Sequence, residues 1–234
     1  GDVPHLTNGN FFNLEELPPR ALLVGAGPIG IEMAQTLQRL GRPGTIVEAA
    51  PQLLPREDKD AAECVRQQLE ADGVKVHYAV KISMVDRNMP SKKKHPSDSS
   101  MEKTQASADA GMYCAPWGIY SMQVTLSSGE QVTLESEALL NATGRVPNVY
   151  GLGLEKAGVE WDNRRGVHVN DSWQTANRNV YATGDCASAY KFTHAADWQA
   201  RLAVRSVVVG DGSTGANMLV PWCTYTGPEV AHVG

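Results

Sequence analysis

The sequence has few cysteines, no long apolar run and a deficit of positive charge. Its 234 residues include four cysteines, at positions 64, 114, 186 and 223. These wide spacings exclude a C-x-x-C redox pair, a zinc ribbon and a dense disulfide framework, so we expect buried or incidental thiols and no metal site. No stretch approaches the roughly 18 to 20 apolar residues that cross a bilayer. We therefore expect a soluble protein of a reducing compartment, without a membrane partner and with the compartment itself undetermined.

The charge balance further restricts the partners. The chain has 21 Lys and Arg residues against 26 Asp and Glu residues, for a formal net charge of −5. This sign disfavours non-specific binding to nucleic acid and to anionic membrane surfaces. Hydrophobic residues make up 42% and charged residues 20%, which is typical of a globular protein and excludes disorder throughout. We expect one large domain or two modest ones, and the charge is compatible with a small neutral or anionic ligand.

A glycine-rich turn follows the first predicted strand, at 21–24. The motif Gly25-Ala26-Gly27-Pro28-Ile29-Gly30 opens a segment with apolar residues at helical spacing, which predicts strand, tight turn and helix. In a dinucleotide-binding fold the first glycine permits the turn, the second lets a pyrophosphate approach, and the third lets helix and strand pack closely. We predict that residues 25–30 bind a pyridine dinucleotide at the helix N-terminus, with a merely structural turn as the alternative.

Glu48 gives this prediction a preference between the two nucleotides. It ends the second predicted strand, where a carboxylate can accept hydrogen bonds from both ribose hydroxyls and would repel a 2′-phosphate. The residues that follow are Ala49-Ala50-Pro51 rather than an arginine, although Arg56 occurs further on. The pattern favours NAD(H) over NADP(H), and a solvated acid at a strand end is the alternative.

The remaining pattern completes an α/β domain. The predicted elements are, in chain order, a strand at 45–48, a helix at 58–72, a strand at 74–78, a hairpin at 120–126 and 131–134, and a strand at 138–142. This order predicts a Rossmann-type NAD-binding domain with an antiparallel β insert. Residues 88–111 are rich in lysine and serine and predict a mobile insertion, either a solvated hairpin extension or a functional basic patch.

A second region follows at 149–220. It contains a predicted short strand at 179–182, the turn Thr183-Gly184-Asp185 and a predicted helix at 193–209. Residues 221–234 begin an element that is not completed.

Five motifs occur in the order found in one enzyme family. They are G-A-G-P-I-G-I-E-M-A-Q (25–35), L-L-P-R-E-D (53–58), A-T-G-R-V-P-N (142–148), Y-A-T-G-D (181–185) and F-T-H-A-A-D-W-Q-A-R (192–201). Together they resemble the pyridine nucleotide-disulfide oxidoreductases, especially the mercuric-reductase-like and dihydrolipoamide-dehydrogenase-like FAD enzymes. The resemblance implies an enzyme in which NAD(P)H reduces FAD, and the flavin passes electrons to a disulfide, dithiol or metal-ion acceptor.

The resemblance also implies roles for individual residues on the NAD side. Residues 25–32 would face the nucleotide, Glu48 its ribose, and Ile82 and Gly144 its remaining edge. A family glutamate at the position of Glu32 pairs with a lysine of the N-terminal flavin segment. Glu32 would therefore have a supporting role, or it would simply lie on a polar helix face. No catalytic residue is expected in this chain.

On the flavin side, the resemblance assigns Asp185 to the ribityl chain. The backbone amides of Thr193, His194 and Ala195 would start a helix aimed at the pyrimidine end of the flavin, where a positive dipole stabilises the reduced form. His194 would act through its backbone and not as a base, because the catalytic histidine of the family lies far downstream.

The family pattern also suggests how the chain is divided into domains. Residues 1–18 would be a connector from a missing N-terminal FAD segment, 19–146 the NAD(P)-binding domain, 147–220 the second half of an FAD-binding domain, and 221–234 the start of a truncated dimerisation domain. The expectation is a fragment of a homodimeric enzyme, and the fragment is inactive alone and binds FAD weakly or not at all. Residues 149–220 would expose apolar surface, because the resemblance implies that the sheet which normally covers them is missing. The alternatives are a non-catalytic NAD(H)-binding module and an interaction protein that uses the insertion.

Overall fold

The computed structural model describes residues 3–88, 117–210, 214–215 and 218–234. The chain forms two compact units: unit 1 comprises residues 1–144 and 224–230, and unit 2 comprises residues 145–223 and 231–234. The predicted insertion at 88–111 lies, apart from Asn88, outside the described residues. In the described ranges, no helix has both the length and the apolar character that a membrane crossing requires.

Unit 1 contains regular strands and helices. Its described elements are, in chain order, β1 (Ala21–Val24), α1 (Pro28–Arg39), β2 (Gly44–Val47), α2 (Lys59–Ala71), β3 (Lys75–His77), β4 (Lys81–Asn88), β5 (Ile119–Thr125), β6 (Gln131–Ser136) and β7 (Ala138–Asn141). Strands β3, β2, β1 and β7 form a parallel sheet in that order. The helices α1 and α2 provide the crossovers that parallel neighbours need.

Both faces of the parallel sheet are covered by apolar residues. Successive side chains of a strand point to opposite sides, so neighbouring residues enter different clusters. Leu23, Ile46 and Leu140 belong to a buried cluster with apolar residues of the two helices. Leu22 and Leu139 belong to a second cluster, with Met122 and other residues of the antiparallel strands. This burial on both faces explains why the parallel strands are apolar throughout rather than alternating with polar residues.

The antiparallel insert has the strand order β4-β5-β6. The hairpin predicted around 127–130 is confirmed, since Thr125 pairs with Gln131 and Tyr120 pairs with Ser136. Strand β4, which the sequence pattern did not predict, adds a third strand and has a register irregularity between Ile82 and Met84. The alternation of half-buried and exposed residues along β4 is too weak to identify it from the sequence.

The predicted helix boundaries in unit 1 hold to within a residue or two. Helix α1 begins at Pro28, which needs no hydrogen-bond acceptor for its nitrogen. Its end is followed by Gly41, whose φ of +76° suits glycine. Asp58 is the N-cap residue of α2, although its side chain makes no capping hydrogen bond. Gly73, with a φ of +97°, follows the end of α2.

Unit 2 has little regular structure in its described part. Its elements are strands β8 (Trp161–Asp162) and β9 (Gly166–Val167), a short 3-10 helix (Gly184–Cys186) and helix α3 (Thr193–Val209). Near the C-terminus, β10 (Trp222–Thr224) pairs with β11 (Val230–His232). The predicted helix at 193–209 is confirmed, and Gly210 closes it with a φ of +69°.

The strand predicted at 179–182 is wrong. Tyr181 forms only an isolated antiparallel bridge with Gln174. The Val180 amide donates to the Asn177 carbonyl, and the Thr175 amide donates to the Val180 carbonyl. These hydrogen bonds close a turn between residues 175 and 180, and the pairing beside it is limited to the single bridge.

The apolar surface expected on the second region is present. The C-terminal half of α3 carries exposed valines at positions 204, 207, 208 and 209, with exposed fractions between 55% and 76%. The opposite face buries Ala195, Gln199 and Ala203, four residues apart. A single helix therefore has one buried face and one apolar face in contact with solvent.

Candidate functional site

The turn between β1 and α1 is shaped by glycines that have no room for a side chain. Gly25 has a φ of +102°, and a Cβ there would lie 2.5 Å from the Ala142 carbonyl oxygen. A Cβ at Gly30 would overlap the carbonyl oxygen of Gly25. The end of β7 and the first turn of α1 thus enclose the turn from both sides, and only glycine fits at these two positions.

Gly27 differs from the other two glycines. Its φ is −73°, which any residue adopts, and a Cβ added there would have no heavy atom within 4 Å. The open space lies at the N-cap of α1, beside the amides of Ile29 and Gly30, where a helix begins with unpaired donors. The first turn of α1 carries no acidic residue. The geometry fits the pyrophosphate of a dinucleotide, which needs hydrogen-bond donors and free space at the helix N-terminus.

Glu48 lies beside this turn, immediately after β2. Its Oε2 accepts a hydrogen bond from the Ala26 amide at 2.6 Å, and its Oε1 accepts one from the Ala50 amide at 2.7 Å. The two bonds fix the carboxylate next to the second residue of the glycine motif. A fixed, half-buried carboxylate with remaining lone pairs can accept hydrogen bonds from ribose hydroxyls.

The other predicted NAD-side residues differ in how near they lie to the glycine turn. Gly144 is exposed with a φ of +133°, two residues after the Ala142 carbonyl that contacts the turn. Ile82 packs against the second apolar cluster, and its described contacts are with that cluster and β5 rather than with the turn. The Glu32 Oε1 accepts a hydrogen bond from the Tyr225 amide at 2.8 Å. Glu32 therefore holds a backbone segment of unit 1.

In unit 2, Asp185 lies in the 3-10 helix of the Thr-Gly-Asp turn. Its Oδ2 accepts a hydrogen bond from Arg145 Nη1 at 2.8 Å, and its backbone carbonyl accepts one from Lys191 Nζ at 2.8 Å. The side chain is 47% exposed. The guanidinium orients the carboxylate through Oδ2. The other oxygen, Oδ1, has no partner among the described residues and can accept a hydrogen bond from a polyol hydroxyl.

The predicted flavin-side amides are at the start of α3. Thr193 and His194 are exposed in its first turn, and Ala195 is buried. The imidazole Nε2 of His194 donates to the Pro221 carbonyl at 2.6 Å. This bond occupies the ring nitrogen in a structural contact, which agrees with a backbone role for His194. The first turn carries no acidic residue, so the helix terminus keeps its positive potential.

Two residues of this second site were missed by the sequence reasoning. Arg145 pairs with Asp185 across 40 positions, and Gln199 accepts a hydrogen bond from the Gly184 amide across 15 positions. Arg145 belongs to the A-T-G-R-V-P-N motif and Gln199 to the F-T-H-A-A-D-W-Q-A-R motif. The motifs were a usable signal, but no local spacing links residues so far apart in the sequence.

Comparisons with known proteins identify the family of the chain. A family model described as "Pyridine nucleotide-disulphide oxidoreductase" matches residues 1–200. The chain belongs to this family. Its members use FAD and NAD(P), and the predicted family membership and Rossmann-type α/β class are confirmed.

Relatives and solved structures match the chain along nearly its whole length. Dihydrolipoyl dehydrogenase of Thermus scotoductus is 33% identical over 224 residues, covering 94% of this chain and 41% of that protein. Mercuric reductase of Bacillus cereus is 27% identical over 233 residues, covering 100% and 32%. The HOCl-induced flavoprotein disulfide reductase RclA from Escherichia coli superposes with a TM-score of 0.74 at 27% identity, covering 100% and 49%. The chain therefore spans half or less of the length of these relatives.

Three of the four cysteines lie in the described residues. Cys64 is exposed, Cys186 and Cys223 are half-buried, and Cys114 lies outside the described residues. Within the ranges that the structure covers, no cluster of three or more His, Cys, Asp or Glu side chains could hold a metal ion. The two sites described above are thus built from backbone amides, two carboxylates and their partners.

Proposed function

We propose that the chain is the nucleotide-binding part of an FAD-dependent NAD(P)H oxidoreductase. In this function, hydride passes from NAD(P)H to FAD and two electrons continue to a disulfide, dithiol or metal-ion acceptor. The observation that carries the proposal is the open space at Gly27 in an otherwise closed turn. A turn with a purely structural role would have no reason to leave that one position unfilled beside unpaired amides.

The proposed nucleotide is NAD(H) rather than NADP(H). Glu48 is held by two backbone amides, so its negative charge cannot swing away from an incoming ribose 2′-phosphate. The neighbours Ala49 and Ala50 offer no compensating positive charge. Arg56, eight positions after Glu48, is exposed. The balance of these charges favours two free ribose hydroxyls over a phosphate.

The proposed flavin site is in unit 2. The flavin, when bound, supplies the two-electron chemistry, and the chain's own residues bind and orient it. The free carboxylate oxygen of Asp185 would accept a hydrogen bond from the ribityl chain, and the exposed amides at Thr193 and His194 would stabilise negative charge on the flavin ring. The absence of an acid in the first turn of α3 supports this role.

The proposal includes the domain roles and the assembly. Residues 19–146 would bind NAD(P), 147–220 would form the second half of an FAD-binding domain, and 221–234 would begin a dimerisation domain. The names of the relatives, which include a dehydrogenase, a mercuric reductase and a flavoprotein disulfide reductase, support an enzyme of this type. The active species would be a homodimer, and the chain alone would be inactive.

The proposal is tested by titrating the natural full-length protein with NADH and NADPH under anaerobic conditions while the flavin absorption spectrum is recorded. We expect bound flavin in the purified protein, bleaching by NADH, and a Kd for NADH at least about tenfold below that for NADPH. Glu48→Ala should reduce this preference for NADH. The control is Glu63→Ala, which removes an acid on helix α2 of the same unit and should leave the preference unchanged. A protein that binds NADH but never flavin would instead be a nucleotide-binding module.

A further inference from the structure

Gln199 is a buried amide in the middle of α3. Its exposed fraction is 0%. The side-chain Oε1 accepts a hydrogen bond from the Gly184 amide at 2.8 Å, and Nε2 donates to the Ser188 hydroxyl at 2.9 Å. A buried amide is destabilising unless its donors and acceptors are paired, and here both ends of the side chain are paired with one turn.

The turn that Gln199 holds is the one that carries Asp185. The Ala187 and Ser188 amides both donate to the Gly184 carbonyl, which closes residues 184–188 on themselves. A Cβ at Gly184 would lie 3.0 Å from the Ala196 Cβ, so the turn packs directly on α3. The amide of Gly184 faces the helix, and without Oε1 of Gln199 it would be a buried, unpaired donor.

We propose that Gln199 is the positioning residue for the flavin-side turn. It fixes the position and orientation of residues 184–188 relative to α3. It thereby determines the distance between the Asp185 carboxylate and the first-turn amides of α3. Two groups that must contact one ligand are thereby tied to a single rigid element. This inference rests on the proposed flavin site, and it assigns to Gln199 no contact with the flavin itself.

Unit 1 provides a matched control for this role. Gln35 is also a buried glutamine on a helix, with an exposed fraction of 4%. Its Oε1 accepts a hydrogen bond from the Gly227 amide at 2.8 Å, and its Nε2 donates to the Gly227 carbonyl at 3.0 Å. The same side-chain chemistry thus holds a different backbone segment, which is not proposed to contact flavin.

The experiment compares Gln199→Leu, Gln199→Glu and Gln35→Leu in the natural full-length protein. The Kd for FAD is measured by flavin fluorescence on protein stripped of flavin, and thermal unfolding is followed in parallel. We expect Gln199→Leu to weaken FAD binding by about tenfold or more, since an unpaired buried donor remains. Gln199→Glu keeps an acceptor for the Gly184 amide and accepts from the Ser188 hydroxyl, so it should stay within about threefold of wild type. Gln35→Leu should lower the unfolding temperature and leave the Kd for FAD unchanged.

The outcomes separate this inference from the function on which it rests. Wild-type protein without any affinity for FAD would overturn the proposed flavin site and the inference with it. Wild-type affinity for FAD in Gln199→Leu would overturn the inference alone, as would equal losses in Gln199→Leu and Gln35→Leu. If Gln199→Leu does not fold, Ser188→Ala keeps Gln199 and its bond to the Gly184 amide, and removes the hydroxyl that accepts from Nε2 and from the Tyr190 amide. That variant should weaken FAD binding by roughly two- to fivefold, and no change would again overturn the inference.

Discussion

Unit 1 is built on a four-stranded parallel sheet, whereas unit 2 has short strands and turns that polar side chains help to close. In unit 1 the four parallel strands pair without interruption. Between β1 and β2, for example, the pairs run from Ala21 with Gly44 to Val24 with Val47. In unit 2 the strands β8 and β9 have two residues each. Turns take their place, and each turn needs acceptors that a sheet would otherwise provide.

The acceptors in unit 2 are short polar side chains. Asn170 Oδ1 accepts from the Ser172 and Gln174 amides, and Asp162 Oδ1 accepts from the Arg164 and Arg165 amides. In three further bonds a side-chain oxygen also accepts from a backbone amide: Asn177 Oδ1 from Asn179, Ser188 Oγ from Tyr190, and Gln199 Oε1 from Gly184. Unit 2 therefore uses individual side chains beside very short strands, whereas in unit 1 similar acceptors, such as Glu48, supplement a parallel sheet.

The difference extends to the two candidate sites. The glycine turn of unit 1 has its shape because two positions of the motif admit no Cβ, although the Ala142 carbonyl oxygen that closes off Gly25 is distant in sequence. The Gly-Asp turn of unit 2 has its shape because Gln199 and Arg145 hold it from distant positions. A site of the first kind is sensitive to any added atom, and a site of the second kind is sensitive to the loss of a partner.

The largest effect is expected for Gly25→Ala. An alanine there would adopt a positive φ and place its Cβ against the Ala142 carbonyl, so we expect a loss of about 2–4 kcal/mol in the free energy of unfolding. Chemical denaturation monitored by circular dichroism measures this loss. Gly41→Ala is the control, because Gly41 also has a positive φ but no atom within 4 Å of an added Cβ. Equal losses in the two variants would show that backbone strain, and not enclosure of the turn, determines stability.

Gly27→Ala should separate binding from stability in the same turn. Gly27 has an ordinary φ and free space, so the free energy of unfolding should change by less than about 1 kcal/mol. The added methyl group occupies the space proposed for the pyrophosphate, and the Kd for NADH should rise by about tenfold or more. Isothermal titration with NADH measures the second effect. Unchanged NADH affinity would contradict the placement of the pyrophosphate.

The sequence predicts most of unit 1 because its constraints are local. The strand-turn-helix pattern, Pro28 at the start of α1 and the hairpin around 127–130 each depend on neighbouring residues. The roles of Gly25 and Gly30 follow from the motif spacing, and the structure shows the expected steric contacts. Strand β4 was missed since its exposed and half-buried residues have no strong alternation.

Unit 2 is harder to predict from its sequence because its contacts are long-range and its elements are short. The apolar run at 179–182 predicts a strand, yet hydrogen bonds from Val180 and Thr175 close a turn instead. Arg145 and Gln199 have no local pattern that marks them as partners of the Gly-Asp turn. Only helix α3, which is long and periodic, was predicted with its bounds.

A smaller effect is expected for Arg145→Met. The Arg145–Asp185 pair is 42% and 47% exposed, so its loss should change the free energy of unfolding by about 0.2–1 kcal/mol. The Kd for FAD should rise by roughly two- to fivefold, since the Asp185 carboxylate loses the contact that orients it. Arg20→Met breaks the exposed Arg20–Glu137 pair of unit 1 and should leave FAD binding unchanged. Equal FAD affinities in the two variants would show that Arg145 does not contribute to the proposed flavin site.

The smallest effect concerns Asp162, whose carboxylate holds the turn between β8 and β9. Hydrogen bonds from the Arg165 amide, from His168 and from the Arg164 amide lower the pKa of Asp162 from 3.8 to about 2. Because the pKa is lowered in the folded state, the stability that this carboxylate adds is present above pH 3.8 and is lost as the pH falls through about 2. NMR titration of the Asp162 carboxyl carbon measures the pKa, and a value near 3.8 would contradict the hydrogen bonds.

The variants Asp162→Asn and Asp162→Ala then show whether the turn needs the charge or only an acceptor. Asn retains an Oδ1 for the Arg164 and Arg165 amides but lacks the charge and the second acceptor that faces His168. It should therefore be less stable than wild type above pH 3.8 and show no pH dependence from this residue. Ala removes the Oδ1 acceptor as well and should be less stable than Asn at every pH. If Asn and Ala are equally destabilised, charge rather than hydrogen bonding holds this turn, and the contrast between the two units would not extend to it.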